Sequence, residues 1–303
     1  MKPPESLVQR IFATARGSFA ALALTANVVF FCSLMVPLAL LKLLVTYKPV
    51  RRMIDSGLNW IAMSWIGVNN AWIAAVGNEG WELGGIEGLR RDDWYLVAAN
   101  HQSWVDILVL QKVFSGRVPM LKFFLKRQLI YVPVIGLAWW ALDFPFMQRK
   151  GGMSSARDLE RARLACEKFR LVPTSVINFL EGTRFTQHKH DIQRSPYRHL
   201  LKPRSGGIAI ALATLGEHCH RLLDVTIVYP GGAPKFWQLL SGRVDDVIVR
   251  VQQRQIPDDL INGNYASDPQ FRARMQEWVN ELWAEKDELI ERLLPPVAAM
   301  PQP

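Results

Sequence analysis

The sequence is most informative at residues 94–106, which read WYLVAANHQSWVD. The apolar residues at the start of this segment predict a buried strand, and the polar residues after them predict a turn that leads into a helix. His101 and Asp106 are five positions apart, which is roughly 140° of rotation on a regular helix. Their side chains therefore meet only if His101 precedes the helix and Asp106 lies in its first turns.

A histidine and an aspartate that meet in this way can act as a general base and the residue that orients it. An aspartate that accepts the imidazole Nδ1–H leaves Nε2 free to remove a proton. The G-x-S-x-G sequence of a serine nucleophile is absent, and Ser103 is too near His101 in sequence to be presented to Nε2. The activated hydroxyl can therefore belong to a substrate. The alternative is a helix-capping Asn100 beside a structural histidine.

A second apolar segment ends in a polar motif at residues 175–184, SVINFLEGTR. Gly182 permits close approach of the backbone, Thr183 supplies a hydroxyl, and the planar guanidinium of Arg184 suits a phosphate. Glu181 can fix Arg184, bind a substrate hydroxyl or be a structural carboxylate. For the motif as a whole, the alternative is an ordinary turn with a surface arginine.

Residues 95–230 resemble the glycerol-phosphate and 1-acylglycerol-3-phosphate acyltransferase family, and its lysophospholipid branch in particular. The resemblance rests on the two motifs above and on three further segments in the family's order: 142–149 (LDFPFMQR), 201–207 (LKPRSGG) and 225–230 (VTIVYP). Departures from the family pattern occur at Trp104, Gln148 and Leu180. They bear on substrate choice more than on reaction type.

The resemblance implies transfer of a fatty acyl group from a thioester to the free hydroxyl of 1-acylglycerol-3-phosphate, which gives phosphatidic acid. His101 is then the general base and Asp106 its orienting residue, and backbone N–H groups at the start of the following helix stabilise the charge that develops on oxygen. The implied substrate-binding residues are Glu181, Gly182, Thr183, Arg184, Arg149, Lys126, Lys202 and Arg204.

Other functions suit the same motifs. The acceptor can instead be another lysophospholipid, such as lysophosphatidylglycerol or lysocardiolipin. A thioesterase-like hydrolase would differ only in water replacing the acceptor, and a membrane lipid-binding protein would keep the fold without turnover. We expect no cofactor: the co-substrate is a thioester of coenzyme A or of acyl carrier protein, and in the second case acyl carrier protein is a partner.

The cysteines and histidines do not indicate a metal site. Three cysteines lie far apart in the sequence, which predicts neither a disulfide framework nor a metal centre and suits a reducing compartment. The pairs His188/His190 and His218/His220 have no acidic or thiolate cluster at ligand spacing nearby. We therefore expect no metal.

Half of the 303 residues are hydrophobic, which is enough for one α/β core and an additional apolar segment. Strand and helix patterns alternate within residues 81–295, which predicts an α/β acyltransferase domain with a mixed sheet flanked by helices. The predicted elements include helices at 154–169, 205–215 and 269–293, a strand that ends at Leu180, and strands at 223–229 and 247–251. Residues 296–303 are predicted to be a frayed tail.

Residues 1–80 are predicted to form membrane-anchoring helices. Residues 17–41 carry no charge, and 25 helical residues at about 1.5 Å each are enough to cross a hydrocarbon layer of about 30 Å. Residues 56–78 are also uncharged but contain tryptophans and asparagines, as interfacial segments do. Basic residues on both sides of the first run leave two arrangements open, a single crossing or a segment that enters the inner leaflet and returns. In both, the catalytic domain faces the cytoplasm from the inner membrane.

The net charge of +9 suits attraction to anionic lipid headgroups. Nucleic acid would attract the same charge, but the sequence contains no nucleic-acid-binding motif. We therefore expect the bilayer and its lipids as partners, and no nucleic acid. Residues 118–140 mix large apolar side chains with lysine and arginine. They can form membrane-facing surface, the wall of an acyl-chain tunnel or buried core, and we favour the core for most of these positions.

Overall fold

A computed structural model of the chain describes residues 6–76, 80–147, 173–215, 218–244, 246–261, 263–265 and 267–295. Arg149, Cys166 and the helix predicted at 154–169 lie outside these residues. The helices are α1 (Leu7–Leu44), α2 (Lys48–Val76), α3 (Val105–Phe114), α4 (Ile135–Ala141), α5 (Gln187–Gln193), α6 (Gly206–Leu215), α7 (Phe236–Leu240) and α8 (Pro269–Leu293). The strands are β1 (Trp81–Gly84), β2 (Tyr95–Ala99), β3 (Leu121–Phe123), β4 (Leu125–Lys126), β5 (Phe146–Met147), β6 (Ser175–Phe179), β7 (Arg221–Val228) and β8 (Val247–Gln255).

One mixed sheet organises the catalytic part of the chain, with the strand order β1-β8-β7-β2-β6-β3. All neighbouring strands are parallel except β7 and β8. β2 lies in the interior of the sheet, and all of its residues are buried. This architecture confirms the predicted α/β fold. β4 and β5 form a separate two-stranded pair.

Helices cover both faces of the sheet. α6 and α8 bury one face, with Leu212 and Trp283 in its apolar cluster. α3 buries the other face through Val109 and Val113. Since successive strand residues point to opposite faces, β2 contributes to both clusters. Its sequence is uninterruptedly apolar because both of its faces are buried.

The C-terminal helix α8 begins as its sequence predicts. The side chain of Asp268 accepts the N–H groups of Gln270 and Phe271, and Pro269 is the first helical residue. Further along α8, the buried ammonium of Lys286 lies 2.5 Å from the carboxylate of Asp224 on β7. This ion pair joins the helix to the sheet.

Helices α1 and α2 form an antiparallel hairpin. The amides of Asn27 and Asn69 are hydrogen-bonded at 2.8 Å, and Lys42 lies 2.6 Å from Asp55 near the turn between the helices. Among the described residues, α1 is the one helix long and apolar enough to cross a membrane, and only 17% of its most apolar window is buried. The rest of the protein therefore leaves most of the apolar surface of α1 uncovered.

The hairpin is attached to the catalytic part at two separated points of α1. The guanidinium of Arg16 donates to the carbonyl of Ser241, directly after α7. The ammonium of Lys42 lies 2.6 Å from the carboxylate of Asp143 and 2.8 Å from the carbonyl of Ala141, at the end of α4. α1 therefore lies along the domain rather than projecting away from it.

Residues 118–140 belong to the core only in part: Val118, Leu121 and Ala138 are buried, and most of the other large apolar side chains are half-buried. Met120, Trp139 and Trp140 pack against the apolar cluster shared by α1, α2 and α4. Tyr131, Val132 and Val134 are exposed.

Several elements differ from the sequence prediction, among them β1, β3 and β8. β1 and β3 are not predicted, because strands of four and three residues are too short to show a period. β8 continues beyond the predicted residues 247–251 to Gln255, where its polar residues pair with the start of β7.

Candidate active site

The two sequence motifs meet at one edge of the sheet because β2 and β6 are parallel neighbours. Ala99 pairs with Phe179, so His101 and Glu181 each follow the paired strand ends by two residues. β7 is the parallel neighbour on the other side, with Val225 opposite Ala99. In open α/β sheets, ligands bind beyond the carboxyl ends of the strands, and the candidate site has this location.

His101 and Asp106 are hydrogen-bonded in the geometry that their spacing requires. His101 precedes α3, Asp106 lies in its first turn, and Nδ1 of the ring is 2.8 Å from Oδ2 of the carboxylate. The Asp106 side chain is fully buried, whereas that of His101 is 12% exposed. An Nδ1–H that donates to the carboxylate leaves Nε2 unprotonated, as a general base requires.

Backbone groups fix the carboxylate further. The N–H groups of Gln102 and Ser103 donate to Asp106 Oδ2 at 2.6 and 2.8 Å. The N–H of Val105 donates to the hydroxyl oxygen of Ser103. The sequence predicts that N–H groups at the start of the helix stabilise the negative charge of the reaction. For these three groups the prediction is wrong, because each already has an acceptor.

Ser103 has a structural position. It is buried, and its hydroxyl donates to the carbonyl of Pro234 while it accepts the Val105 N–H. It does not form the hydrogen bond to His101 that a serine nucleophile needs.

A tyrosine without a predicted role completes the surroundings of Asp106. The hydroxyl of Tyr229 donates to Asp106 Oδ1 at 2.6 Å, and the side chain is buried. Burial, and then the adjacent carboxylate, raises the pKa of Tyr229 well above its ordinary value. The sequence signal for this contact is weak. It consists only of a tyrosine that directly follows the apolar residues of β7.

The His101 ring is also held by packing. The Phe179 ring is stacked on it, with centroids 4.0 Å apart and planes inclined by 16°. The carbonyl of His101 accepts the N–H of Phe185 at 2.7 Å, so the Glu-Gly-Thr-Arg loop closes onto the histidine.

Glu181 connects three backbone segments. Its oxygens accept the N–H groups of His101 at 3.0 Å and of Leu201 at 3.2 Å, and the residue is 1% exposed. Burial raises the pKa of Glu181 to about 8, although these two hydrogen bonds act in the opposite direction. Of the roles left open by the sequence, this geometry favours the structural carboxylate.

The rest of the motif forms an exposed cationic loop. Gly182 has a φ of 67°, which glycine adopts without strain. The guanidinium of Arg184 lies over the ring of Trp104 at 4.8 Å. The ammonium of Lys189, for which the sequence suggested no role, donates to the hydroxyl of Thr183 and to the carbonyl of Arg184, both at 2.8 Å.

The basic segment after α5 lies beside this loop. Arg204 is exposed, its N–H donates to the carbonyl of Leu180, and its Cδ is 3.9 Å from the position of a Cβ at Gly182. Lys202 is also exposed, and its N–H bonds the side chain of Gln193. Arg184, Lys189 and Arg204 therefore concentrate positive charge around one loop.

Lys126 belongs to the pair of short strands. Its backbone pairs with Met147 on β5. Arg149 itself lies outside the described residues.

Within the described part of the chain, no group of three or more histidine, cysteine or acidic side chains could hold a metal ion. His190 Nε2 is 2.7 Å from the carbonyl of Tyr197, and the ring of His218 stacks on Trp94. One histidine of each pair, His190 and His218, therefore makes a contact within the protein.

The arrangement combines a fixed base with an adjacent cationic loop. A model of the family described as Acyltransferase matches residues 81–230, which include every segment of the active-site edge. The chain belongs to this acyltransferase family. The resemblance seen in the sequence is thereby confirmed.

Curated relatives of the chain carry more specific names. The chain is 28% identical over 209 residues to 1-acyl-sn-glycerol-3-phosphate acyltransferase delta of Homo sapiens, an alignment that covers 63% of this chain and 51% of the relative. It is 25% identical over 213 residues to 1-acyl-sn-glycerol-3-phosphate acyltransferase 3 of Arabidopsis thaliana, with 65% and 53% covered. The chain spans about half the length of these relatives.

A solved structure shares the fold of the chain. It is the 1-acyl-sn-glycerophosphate acyltransferase PlsC from Thermotoga maritima, with a TM-score of 0.53 and 17% identity over 95% of this chain and 99% of that chain. The coverage includes the N-terminal helices as well as the sheet.

Proposed function

We propose that this protein transfers a fatty acyl group from a thioester to the free hydroxyl of 1-acylglycerol-3-phosphate, giving phosphatidic acid. The observation that carries the proposal is the hydrogen bond between His101 and the buried Asp106 at the sheet edge, beside the exposed guanidinium of Arg184. The names of the curated relatives support the same acceptor.

The reaction needs no acyl-enzyme. Nε2 of His101 removes the proton of the acceptor hydroxyl as its oxygen attacks the thioester carbonyl, and Asp106 stabilises the imidazolium that forms. The tetrahedral intermediate then expels the thiolate, which takes the proton back from the imidazolium. The products are a new ester and a free thiol.

The phosphate of the acceptor would bind at the cationic loop. Arg184 is exposed, and the Trp104 ring under its guanidinium leaves the N–H edges of the guanidinium available to phosphate oxygens. Lys189 and Arg204 add charge at the same loop. Lysophosphatidylglycerol and lysocardiolipin carry phosphate too, so the loop admits them as competing acceptors.

Product analysis tests the substrate assignment. Purified full-length protein is offered lysophosphatidic acid, lysophosphatidylglycerol, lysocardiolipin and monoacylglycerol, each with acyl-CoA and with acyl carrier protein thioester, and products are read by mass spectrometry. We expect phosphatidic acid as the main product. Free fatty acid alone would indicate a hydrolase, a different diacyl product another acceptor, and no product a lipid-binding protein.

The role of Arg184 is separable within the same assay. Arg184→Ala should lower kcat/KM for lysophosphatidic acid by about tenfold or more, because a charge-assisted hydrogen bond contributes roughly 1.5–3 kcal/mol. Activity on monoacylglycerol should change little. The control is Arg198→Ala, since Arg198 is exposed and 3.6 Å from Glu291 on α8. An equal loss on both acceptors would make Arg184 structural.

We further propose that α1 lies in one leaflet of the inner membrane, with the catalytic domain in the cytoplasm. Arg16 and Lys42, both bonded to the same domain, are separated by 26 positions, or about 39 Å of helix. A helix that crossed the bilayer would place these two contacts on opposite sides. The apolar face that remains exposed, including Phe19 and Leu22, suits insertion parallel to the surface.

Labelling with an impermeant thiol reagent distinguishes the two arrangements. Cysteines are introduced at Ser6 and Tyr47, the two ends of α1, and at Gln187 on α5, in a protein whose native cysteines are replaced. All three should react only from the cytoplasmic side of membrane vesicles. Reaction of one end of α1 from the outer side would indicate a crossing, and outer reaction at Gln187 would reverse the orientation.

A further inference from the structure

Asp106 accepts hydrogen bonds unequally through its two oxygens. Oδ2 accepts from the His101 ring and from the N–H groups of Gln102 and Ser103. For Oδ1, the described donor is the hydroxyl of Tyr229, at 2.6 Å. The carboxylate has no exposure to solvent, so water does not replace this contact without a change in the structure.

Tyr229 reaches Asp106 from another strand. Ile227, two residues earlier, exchanges two hydrogen bonds with the side chain of Asn100: its N–H donates to Oδ1 and its carbonyl accepts from Nδ2. β7 is also in parallel register with β2 up to Val225 opposite Ala99. The tyrosine hydroxyl therefore comes from the residue directly after β7, whose end is hydrogen-bonded to Asn100, and not from the loop that it contacts.

Direct chemistry by Tyr229 does not fit its surroundings. The residue is 4% exposed, and its O–H is directed at Asp106. Burial raises the pKa of the phenol well above its ordinary value, so the group keeps its proton throughout the working range of a histidine base. It acts on the reaction through Asp106.

We propose that Tyr229 is a positioning residue of the acyl-transfer site, which holds Asp106 in the orientation and charge state that His101 requires. The proposal rests on the function proposed above, with His101 as the base. By donating to Oδ1, Tyr229 prevents rotation of the carboxylate and withdraws part of its negative charge from the ring. It thereby limits how strongly Asp106 favours the imidazolium before the acceptor hydroxyl attacks the thioester carbonyl.

The isosteric variant Tyr229→Phe tests this role. We expect kcat to fall by about tenfold, the usual consequence of losing one hydrogen bond to a charged group, with little change in KM for the acceptor. The acid limb of the kcat/KM profile should move to higher pH, because a carboxylate without the phenol holds the proton on His101 more strongly. The other ionisable groups facing the pair, Glu181 behind the His101 backbone and Arg184 on Trp104, are unchanged in this variant.

Replacement of Tyr229 by 3-fluorotyrosine gives the opposite perturbation with little change of shape. The more acidic phenol is a stronger donor, so the acid limb should move to lower pH. This second variant keeps the test informative even if Tyr229→Phe folds poorly.

The matched control is Tyr95→Phe. Tyr95 is also fully buried, but its hydroxyl accepts the N–H of Arg90 at the other end of β2. The control should lose stability without a shift of the pH profile. Equal profiles for wild type, Tyr229→Phe and the fluorotyrosine protein, or an equal shift in Tyr95→Phe, would overturn the positioning role.

Failure of this proposal is distinguishable from failure of the proposed function. If His101→Ala is inactive while Tyr229→Phe has the kcat and pH profile of wild type, only the role of Tyr229 is wrong. If folded His101→Ala transfers acyl groups at the wild-type rate, the proposed function is wrong and the role of Tyr229 falls with it.

Discussion

At the scale of single residues, two buried acidic side chains bind different partners at the same edge of the sheet. Asp106 faces the ring of His101, whereas Glu181 accepts backbone N–H groups from both sides of the site. Its bond to the backbone of His101 fixes the position of the base, and its bond to Leu201 fixes the start of the basic segment. Glu181 can therefore affect catalysis without contact with a substrate.

The raised pKa of Glu181 predicts a pH-dependent contribution to stability. The folded protein keeps this proton up to a pH of about 8, whereas the unfolded chain loses it near 4.5. Between these values the folded state binds more protons, so the free energy of unfolding falls as pH rises. Glu181→Gln removes this contribution.

Chemical denaturation across that pH interval measures the effect. The free energy of unfolding of wild type should decrease relative to that of Glu181→Gln as pH rises from just above 4.5 to about 8. Glu285→Gln is a control, because Glu285 is an exposed carboxylate paired with Arg254 on the surface. A constant difference between wild type and Glu181→Gln over the interval would contradict the raised pKa.

Sequence predicted the residues of the site that depend on local geometry. The five-residue spacing and the preceding strand were enough to anticipate that His101 meets Asp106. Tyr229 and Lys189 were not anticipated, since their contacts depend on strand register and on the path of a loop, which no local pattern encodes. The predicted charge stabilisation by helix-start N–H groups is wrong for Gln102, Ser103 and Val105, because these groups bind the side chains of Asp106 and Ser103.

At the scale of elements, parallel pairing explains why motifs 80 residues apart form one site. β2 and β6 end level with each other, and each is followed directly by its motif. The long strands could be predicted because they are apolar and bounded by turns. β1 could not, because its pairing with β8 joins residues more than 160 positions apart and its four residues carry no periodic signal.

The attachment of α8 to β7 predicts a large loss of stability when it is broken. Lys286→Met leaves Asp224 buried with Arg254 as its remaining cation, 3.2 Å away. Removing one partner of a buried ion pair costs about 3–5 kcal/mol. The loss should appear as a lower free energy of unfolding in denaturant titrations.

Two further variants define the origin of that loss. Arg292→Met, on the same helix, removes an exposed cation 3.8 Å from Glu288 and should cost no more than about 1 kcal/mol. Adding Asp224→Leu to Lys286→Met should restore part of the stability, because the buried carboxylate that has lost its lysine is then absent. A loss in Lys286→Met no larger than in Arg292→Met would show that the buried pair does not hold α8.

At the scale of the whole molecule, the catalytic domain and the N-terminal helices form one unit through Arg16, Lys42 and the shared apolar cluster. Sequence predicted the apolar length of the first helix but left its arrangement open. The contacts that favour a parallel position, Lys42 with Asp143 above all, join residues about 100 positions apart and have no sequence signature.

The exposed apolar face of α1 predicts the strength of membrane binding. Phe19 and Leu22 are 72% and 71% exposed, and burying one such side chain in lipid contributes about 1.5–3 kcal/mol. The double variant Phe19→Ser and Leu22→Ser should lower partitioning onto lipid vesicles by about tenfold or more, as measured by flotation.

The control for membrane binding is Ile192→Ser. Ile192 is 68% exposed but lies on a different helix, α5. Its variant should bind vesicles as wild type does, and both proteins should keep their activity on detergent-dispersed acceptor. Unchanged partitioning of the α1 variant would remove this face from the membrane contact.

The most direct measurement is the rate of phosphatidic acid formation by His101→Ala compared with His188→Ala. His188 is an exposed histidine that follows the Glu-Gly-Thr-Arg loop. With lysophosphatidic acid and acyl-CoA in detergent micelles, His188→Ala should match wild type. Loss of the base should reduce kcat by about 10²–10⁴-fold in His101→Ala without unfolding the protein. Near-wild-type turnover by folded His101→Ala would contradict the base-catalysed mechanism.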